Sequence, residues 1–327
     1  MTKVIGRKFS VGIGKETARG TAVAAAFWVP KTDVSVDDRI NYAIEDSSIG
    51  VIEDSIDQDV TSKYSEISIG GIVYEKSFGL LLLATFGTET SSTLVETGVY
   101  DHLFNVAETS QHQSLTVAAV DPNGGTGLRY ALCMVEQLQM SFEVGKYYTY
   151  SVDMRGNTNA AVANTASFTA ENLFRPQDGT VKFATNLAGL NAASAISIKK
   201  GSLSIKKNLE DDFVIGNVAA ADRLNKEFAV EGTLELFYDD RTQIDTNMLG
   251  DVAQAMRIDF QNTSVLIGAT KSPQLVFDMG RVKIQEVSRK IDNAGIISQT
   301  LKFKAYYSIA DSMMIKATIR NTQSAVY

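Results

Sequence analysis

Residues 138–154 read LQMSFEVGKYYTYSVDM, and this stretch decides the fold class. Leu138, Met140, Phe142 and Val144 alternate with Gln139, Ser141 and Glu143. Gly145-Lys146 then breaks the run, and residues 147–154 read as a second strand. A period of two buries one face and wets the other, the pattern of an antiparallel sheet. The alternation recurs at residues 66–69, 201–206, 233–237 and 301–306. Only four prolines interrupt the chain. Helical periodicity is confined to two segments. One is residues 77–86, with Gly87 where a C-terminal stop belongs. The other is residues 241–256, with Ile244, Met248, Val252 and Met256 at four-residue steps.

Composition narrows the function. A chain of 327 residues suggests about two domains. Hydrophobic residues at 44% permit a packed core and exclude global disorder. No apolar run approaches the roughly 18–20 residues of a membrane span. The opening MTKVIGRKFS has no apolar stretch followed by a cleavage site, so no secretory signal is expected. A single cysteine, Cys133, excludes internal disulfides and Cys-rich zinc modules, and its apolar surroundings read as core. Two histidines, His102 and His112, are too few for an ordinary zinc site or a Ser-His-acid triad. Gly14-Lys15 resembles a phosphate loop, but Phe9 stands where that loop needs Gly, and Glu16 where it needs a hydroxyl. No catalytic set, metal or cofactor is expected, although two acids distant in the chain could still meet in space. The net charge of −7 has the wrong sign for a general nucleic-acid binder.

The chain also echoes itself. Glu45-Asp46-Ser47-Ser48-Ile49-Gly50-Val51 returns as Glu210-Asp211-Asp212-Phe213-Val214-Ile215-Gly216-Asn217-Val218. Later in each copy, Gly71 and Gly232 open an alternating strand, then a helix candidate, then a strand–turn–strand unit. The second such unit turns near Asn293-Ala294-Gly295. An order repeated in this way implies an internal duplication. The expected organisation is an N-terminal arm (1–30) that ties subunits together, a first β domain (31–160), a variable linker or insertion (161–195) and a second β domain (196–327). Charge is uneven as well. Residues 33–66 carry ten acids against Arg39 and Lys63, a local excess greater than the whole chain's −7. Lys199, Lys200, Lys206 and Lys207 form the opposite cluster, and Lys200, Ser202, Ser204 and Lys206 share one strand parity.

The segment Gly12-Ile13-Gly14-Lys15-Glu16-Thr17-Ala18-Arg19-Gly20-Thr21-Ala22-Val23, followed by Trp28-Val29-Pro30, resembles the opening of major tail tube proteins of long-tailed bacteriophages. GLLLLATFG at 79–87, Val99-Tyr100-Asp101-His102-Leu103-Phe104, Ser114-Leu115-Thr116-Val117 and the ending from Asn321 to Tyr327 match in the same order. The resemblance implies a mainly β protein with short helices, made of two tandem tail-tube-like β-sandwich or barrel domains. It implies a structural virion protein, not an enzyme, assembled in the bacterial host cytoplasm into stacked rings around a negatively lined conduit for the genome. Partners implied are copies of itself, in trimeric pseudo-sixfold rings or hexamers without duplication, together with the tape measure protein, tail terminator and distal tail protein. Double-stranded DNA would pass without specific binding, and this chain would insert in no membrane. By position, residues 40–63 and 209–225 would be the long loops that reach the neighbouring ring. Glu45, Asp46, Glu53, Asp54, Asp57, Asp59, Glu210, Asp211 and Asp212 would then line the lumen or contact the next ring. Lys199, Lys200, Lys206 and Lys207 would be basic subunit contacts. Other readings stay open: another virion ring protein such as a tail terminator or hub, a two-module β-sandwich binding protein, or a hydrolase with a cryptic acid pair.

Overall fold

The computed structural model describes residues 3–122, 127–238, 241–291 and 295–327. The first part of the chain holds β1 (Ser10–Lys15), β2 (Phe27–Val29), β3 (Lys31–Glu45), β4 (Asp57–Ile72), helix α1 (Ser77–Phe86), β5 (Gly87–Glu96), β6 (Val99–Val106), β7 (Leu115–Val120), β8 (Leu128–Glu143), β9 (Thr149–Gly156) and β10 (Ala160–Ala161). The second part holds β11 (Gly179–Ala184), β12 (Ala195–Ile196), β13 (Ile198–Asp212), β14 (Asp222–Phe237), β15 (Gln254–Gln261), β16 (Gln274–Lys290), β17 (Ser298–Tyr306) and β18 (Ile315–Asn321). The protein is mainly β, as the alternation requires. Its strands join in one antiparallel ladder of eighteen that does not close on itself. This differs from the expectation of a sandwich or barrel closed within each half.

The reason lies in β8. Its N-terminal half pairs with β7 and β10, and its C-terminal half with β9 and β13. One strand thus serves two ladders and joins the two halves of the chain. Where it crosses from one to the other, Leu132 takes φ 52°, a left-handed conformation rare for a branched side chain. Its N–H donates to the Glu16 carboxylate at 2.8 Å.

At the centre of the ladder lie eight strands in the order β3-β4-β9-β8-β13-β14-β17-β16. Each half contributes a long hairpin and then a returning hairpin in the same order. The flanking pairs also correspond. β1–β2, β1–β7, β7–β8 and β8–β10 in the first half match β11–β12, β11–β15, β15–β16 and β16–β18 in the second. Between β4 and β7 the first half carries α1 and the β5–β6 hairpin, where the second half has only the short π-helix Gln243–Met248 between β14 and β15, and β6 pairs with β18.

Helix α1 is buried over all ten residues, which explains why its sequence lacks a polar face. Its N-terminus is capped from a distance: the Glu171 carboxylate accepts from the N–H of Ser77 at 2.7 Å and of Lys76 at 3.1 Å. Gly87 ends it at φ 91°, a conformation that favours glycine.

Two expectations change, the helix at 241–256 and the loops at 40–63 and 209–225. Residues 241–256 do not form one helix. Only Gln243–Met248 coils, as a short π-helix, and Gly250 with Asp251 (φ 51°) turns the chain into β15. The four-residue spacing misled because Met256 also has strand parity, and it is buried with Ile258 and Phe260. Within the expected N-terminal arm, β1 lies between β2 and β7 of its own chain, with Val11 and Ile13 fully buried. Residues 40–63 and 209–225 are largely hairpin arms, with non-strand residues only at 46–56 and 213–221. Asn293 and Ala294 of the expected second turn lie outside the described residues.

Candidate functional site

The two long hairpins stand at one end of the central sheet and carry the acids singled out from the sequence. Glu45 ends β3, Asp46, Glu53 and Asp54 lie in the connecting tip, and Asp57 and Asp59 open β4. All six are exposed. Among them stand Ile44, Ile49, Val51, Ile52 and Ile56, also exposed. Exposed apolar side chains gathered in one place are a feature of contact surfaces. The β13–β14 tip repeats this with Phe213, Val214, Ile215 and Val218 beside exposed Asp212. Unlike the first, it lies against its own chain: the Lys63 N–H donates to the Val218 carbonyl at 2.7 Å.

The expected acids and bases therefore separate. Glu210 pairs with Lys226 at 2.9 Å on the surface. Asp211 is taken inside, 2.7 Å from Arg223 and 3.1 Å from Arg155. Arg223 is fully buried and also donates to the carbonyls of Leu132 and Gly156 in the first half. Lys206 and Lys200 are exposed, while Lys199 holds its ammonium 4.1 Å from the Phe237 ring. Lys207 is no subunit contact. It is buried, and its Nζ donates to the Ala84 carbonyl of α1 at 2.8 Å, with His112 Nδ1 at 3.4 Å. Burial foremost, with Arg19 nearby, pulls its pKa down to about 7. The same burial, with Lys207 beside it, holds His112 near 4. Parity carried the signal: Lys207 shares its strand face with Leu203 and Ile205.

The opposite end of the sheet is basic. Lys146, Lys200, Arg289 and Lys290 are exposed there, around exposed Val144, Tyr147, Ile291 and Ile296. The two ends thus oppose an acidic, apolar rim to a basic, apolar one.

The quoted sequence motifs meet in one joint. The Glu16 carboxylate is buried and accepts from Gly20 N–H, Ser114 Oγ, Thr116 Oγ1 and Leu132 N–H at 2.7–3.0 Å. Lys15 Nζ donates to the Tyr327 carbonyl. Arg19 donates to Asp222 Oδ1 at 2.9 Å and to the Arg223 carbonyl at 2.8 Å. The stretch that resembled a phosphate loop is a staple between the chain's two ends and its two halves. Asn321 Nδ2 donates to the Tyr327 hydroxyl and to the Glu75 carbonyl, each at 2.7 Å. The Tyr327 ring packs on His102, which lies 2.7 Å from Glu89 Oε1. Gly79 is needed because a Cβ there would come within 2.2 Å of the Tyr327 ring.

The sequence model of a family described as phage tail tube protein matches residues 6–305. The chain belongs to the phage tail tube protein family. A search of curated proteins finds no match. This tail tube protein is a structural component of the virion tail, from a family of structural proteins that assemble into a tube. Among its described residues, no helix is long and apolar enough to cross a membrane.

Two features of the tail tube protein were not read from its sequence. One is the Arg223–Asp211–Arg155 network, whose members lie on three strands. The other is which strand edges stay open, since alternation tells which face is buried and not which neighbour sits alongside.

Proposed function

We propose that each chain supplies two equivalent tube units, roughly residues 10–161 and 179–321, by internal duplication. Three chains then close into a pseudo-sixfold ring, and rings stack head to tail into a conduit for double-stranded DNA. The observation that carries this reading is the pairing scheme, repeated in the same order in the two halves of one open sheet apart from the β5–β6 hairpin. A head-to-tail contact that closes makes a ring, and one that continues along an axis makes a filament.

Stacking follows from the two rims. Glu45, Asp46, Glu53, Asp54, Asp57 and Asp59, with the isoleucines among them, face the Lys146, Lys199, Lys200 and Lys290 end of the next ring. Charge gives the stack its direction, and the apolar tip gives it contact area. The solvent face of the central sheet lines the bore. Several of its cations already have acid partners, Lys302 with Glu286 at 2.6 Å, Lys304 with Glu231 at 3.6 Å and Lys283 with Asp251 at 2.5 Å. Paired cations bind phosphate weakly, so DNA slides instead of being held. In the virion the lumen holds the tape measure protein until ejection, and the tube ends meet the tail terminator and distal tail protein.

Electron microscopy of the purified protein, over a range of concentrations, tests the reading. Hollow tubes with threefold or pseudo-sixfold end views are expected. True sixfold views would keep the tube and remove the trimer. Single rings that never stack would favour a terminator-like ring protein.

A further inference from the structure

We propose that Lys207 and His112 form an acid-sensitive latch on the seam between the chain's two halves. The latch is shut while both bases are uncharged, and proton uptake frees the end of α1 and the 107–114 loop from β13. The proposal stands apart from the tube reading. Lys207 belongs to the second half, whereas α1 and the loop that carries His112 belong to the first. Lys207 is 4% exposed and His112 0%.

The hydrogen bonds assign the protons. His112 Nε2 lies 2.9 Å from the Ala107 carbonyl, so it carries the ring's hydrogen. Nδ1 is then a lone pair, and it faces Lys207 Nζ at 3.4 Å. Nζ also donates to the Ala84 carbonyl of α1 at 2.8 Å. An ammonium carries three N–H groups and finds two acceptors here. Protonating His112 would remove one of them and set N–H against N–H. The ring is seated directly on Gly87, the stop of α1, where a Cβ would come within 2.6 Å of its Cγ. The Phe86 ring packs on Phe228, the β14 residue paired with Lys207, and completes the seam.

The surrounding charges do not compensate. Arg19, from residues 16–26 between β1 and β2, brings a third base and donates to the His112 carbonyl. Its own partner is Asp222 at the start of β14, 2.9 Å away, which also accepts from Gln111 at 2.7 Å. Next to it, Arg223 turns to Asp211. Asn225 of β14 brings an amide 3.3 Å from His112 Nε2, and no charge. The Glu16 carboxylate is taken up by four N–H and O–H donors. On β8, Glu136 pairs with Arg155 at 3.8 Å. Among the described residues, neither Lys207 nor His112 has a carboxylate partner. The C-terminal end of α1 attracts a cation. Burial and then Arg19 oppose it and hold Lys207 at about 7. Burial and then Lys207 hold His112 at about 4, against the pull of the Ala107 and Thr85 carbonyls.

On opening, the two groups return to ordinary values of about 10.4 and 6.5. The open form therefore binds more protons, through Lys207 between about pH 10 and 7 and through His112 between about pH 6.5 and 4. Falling pH favours opening in both windows, first through one base and then through the other.

Hydrogen exchange of the full chain, read by mass spectrometry, tests the latch. Protection factors remove the intrinsic pH dependence of exchange. From pH 8.5 to 6.5, protection at residues 82–86 and 110–114 should fall about 20-fold through Lys207. Protection at residues 256–260 of β15 should stay within about twofold. Lys207→Met keeps an apolar stem without the amine and should abolish the fall. His112→Gln should leave that step and remove a further fall between pH 6.5 and 4.5. The comparison of segments within the wild-type protein needs no variant to fold. A fall of equal size in all three segments would overturn the latch in favour of global loosening. Wild-type protection that does not move would overturn it too, as would a fall that persists in Lys207→Met.

Discussion

Lys207 is where a single residue departs furthest from its surface reading. Its folded pKa of about 7 lies below the unfolded value of about 10.4, so the unfolded chain binds more protons between those limits. Its contribution to stability therefore rises as pH increases from about 7 to about 10. Lys207→Met removes the cost of burying a charge. The melting temperature of the variant relative to wild type should be more favourable at pH 6 than at pH 9, read by thermal melts. A difference that does not change with pH would show that Lys207 does not titrate in this window. Arg223 behaves differently, since it cannot discharge. Arg223→Ala leaves the largely buried Asp211 with Arg155 as its one remaining cation, empties a fully buried site, and should cost about 3–5 kcal/mol in urea unfolding. Gly79→Ala drives a methyl into Tyr327 and should cost about 1–3 kcal/mol by the same measurement.

At the level of elements, the first hairpin was legible in part. The echo between residues 45–51 and 210–218 located both tips, and the acid count marked the first one as special. The arms are loop by position in the resembled family, and their Asp, Asn and Ser residues, poor strand formers judged one at a time, do not contradict it. Cross-strand pairing from Lys31↔Gly71 to Glu45↔Asp57 overrides that preference. Since the tip touches little of its own chain, Glu53→Gln, Asp54→Asn, Asp57→Asn and Asp59→Asn together should shift the melting temperature by less than about 2 °C. Tube formation should fall sharply, scored by pelleting and electron microscopy. Tubes that form normally but eject DNA slowly would move these acids from the ring contact to the lumen.

Over the whole molecule, the two halves share one buried core and the β8–β13 ladder. They are therefore expected to unfold together. Trp28 lies on β2 in the first half and is the chain's one tryptophan, so its fluorescence reports on that half, while far-UV circular dichroism reports on both. The two urea transitions should coincide. A fluorescence midpoint clearly below the dichroism midpoint would show halves that hold independently and meet only at a weak junction.

The sequence by itself determined the strands whose alternation is clean (66–69, 138–154, 201–206, 233–237 and 301–306), the buried helix with its stop at Gly87, and the family motifs. These are local matters, set by period-two burial and by residues that tolerate a left-handed backbone. It also placed Lys207 on the buried face, for a reader who counts from Leu203. What only the tertiary structure decided was adjacency. Whether Asp211 faces solvent or Arg223, and whether β13 or empty space lies beside β8, depends on strands dozens of residues away. Hydrophobic alternation specifies which side of a strand is covered, but a backbone edge has the same donors and acceptors whatever its sequence. The folded chain therefore had to show that β8 has a neighbour on its outer edge, and that, among the described residues, β3 and the 283–290 part of β16 have no strand on theirs.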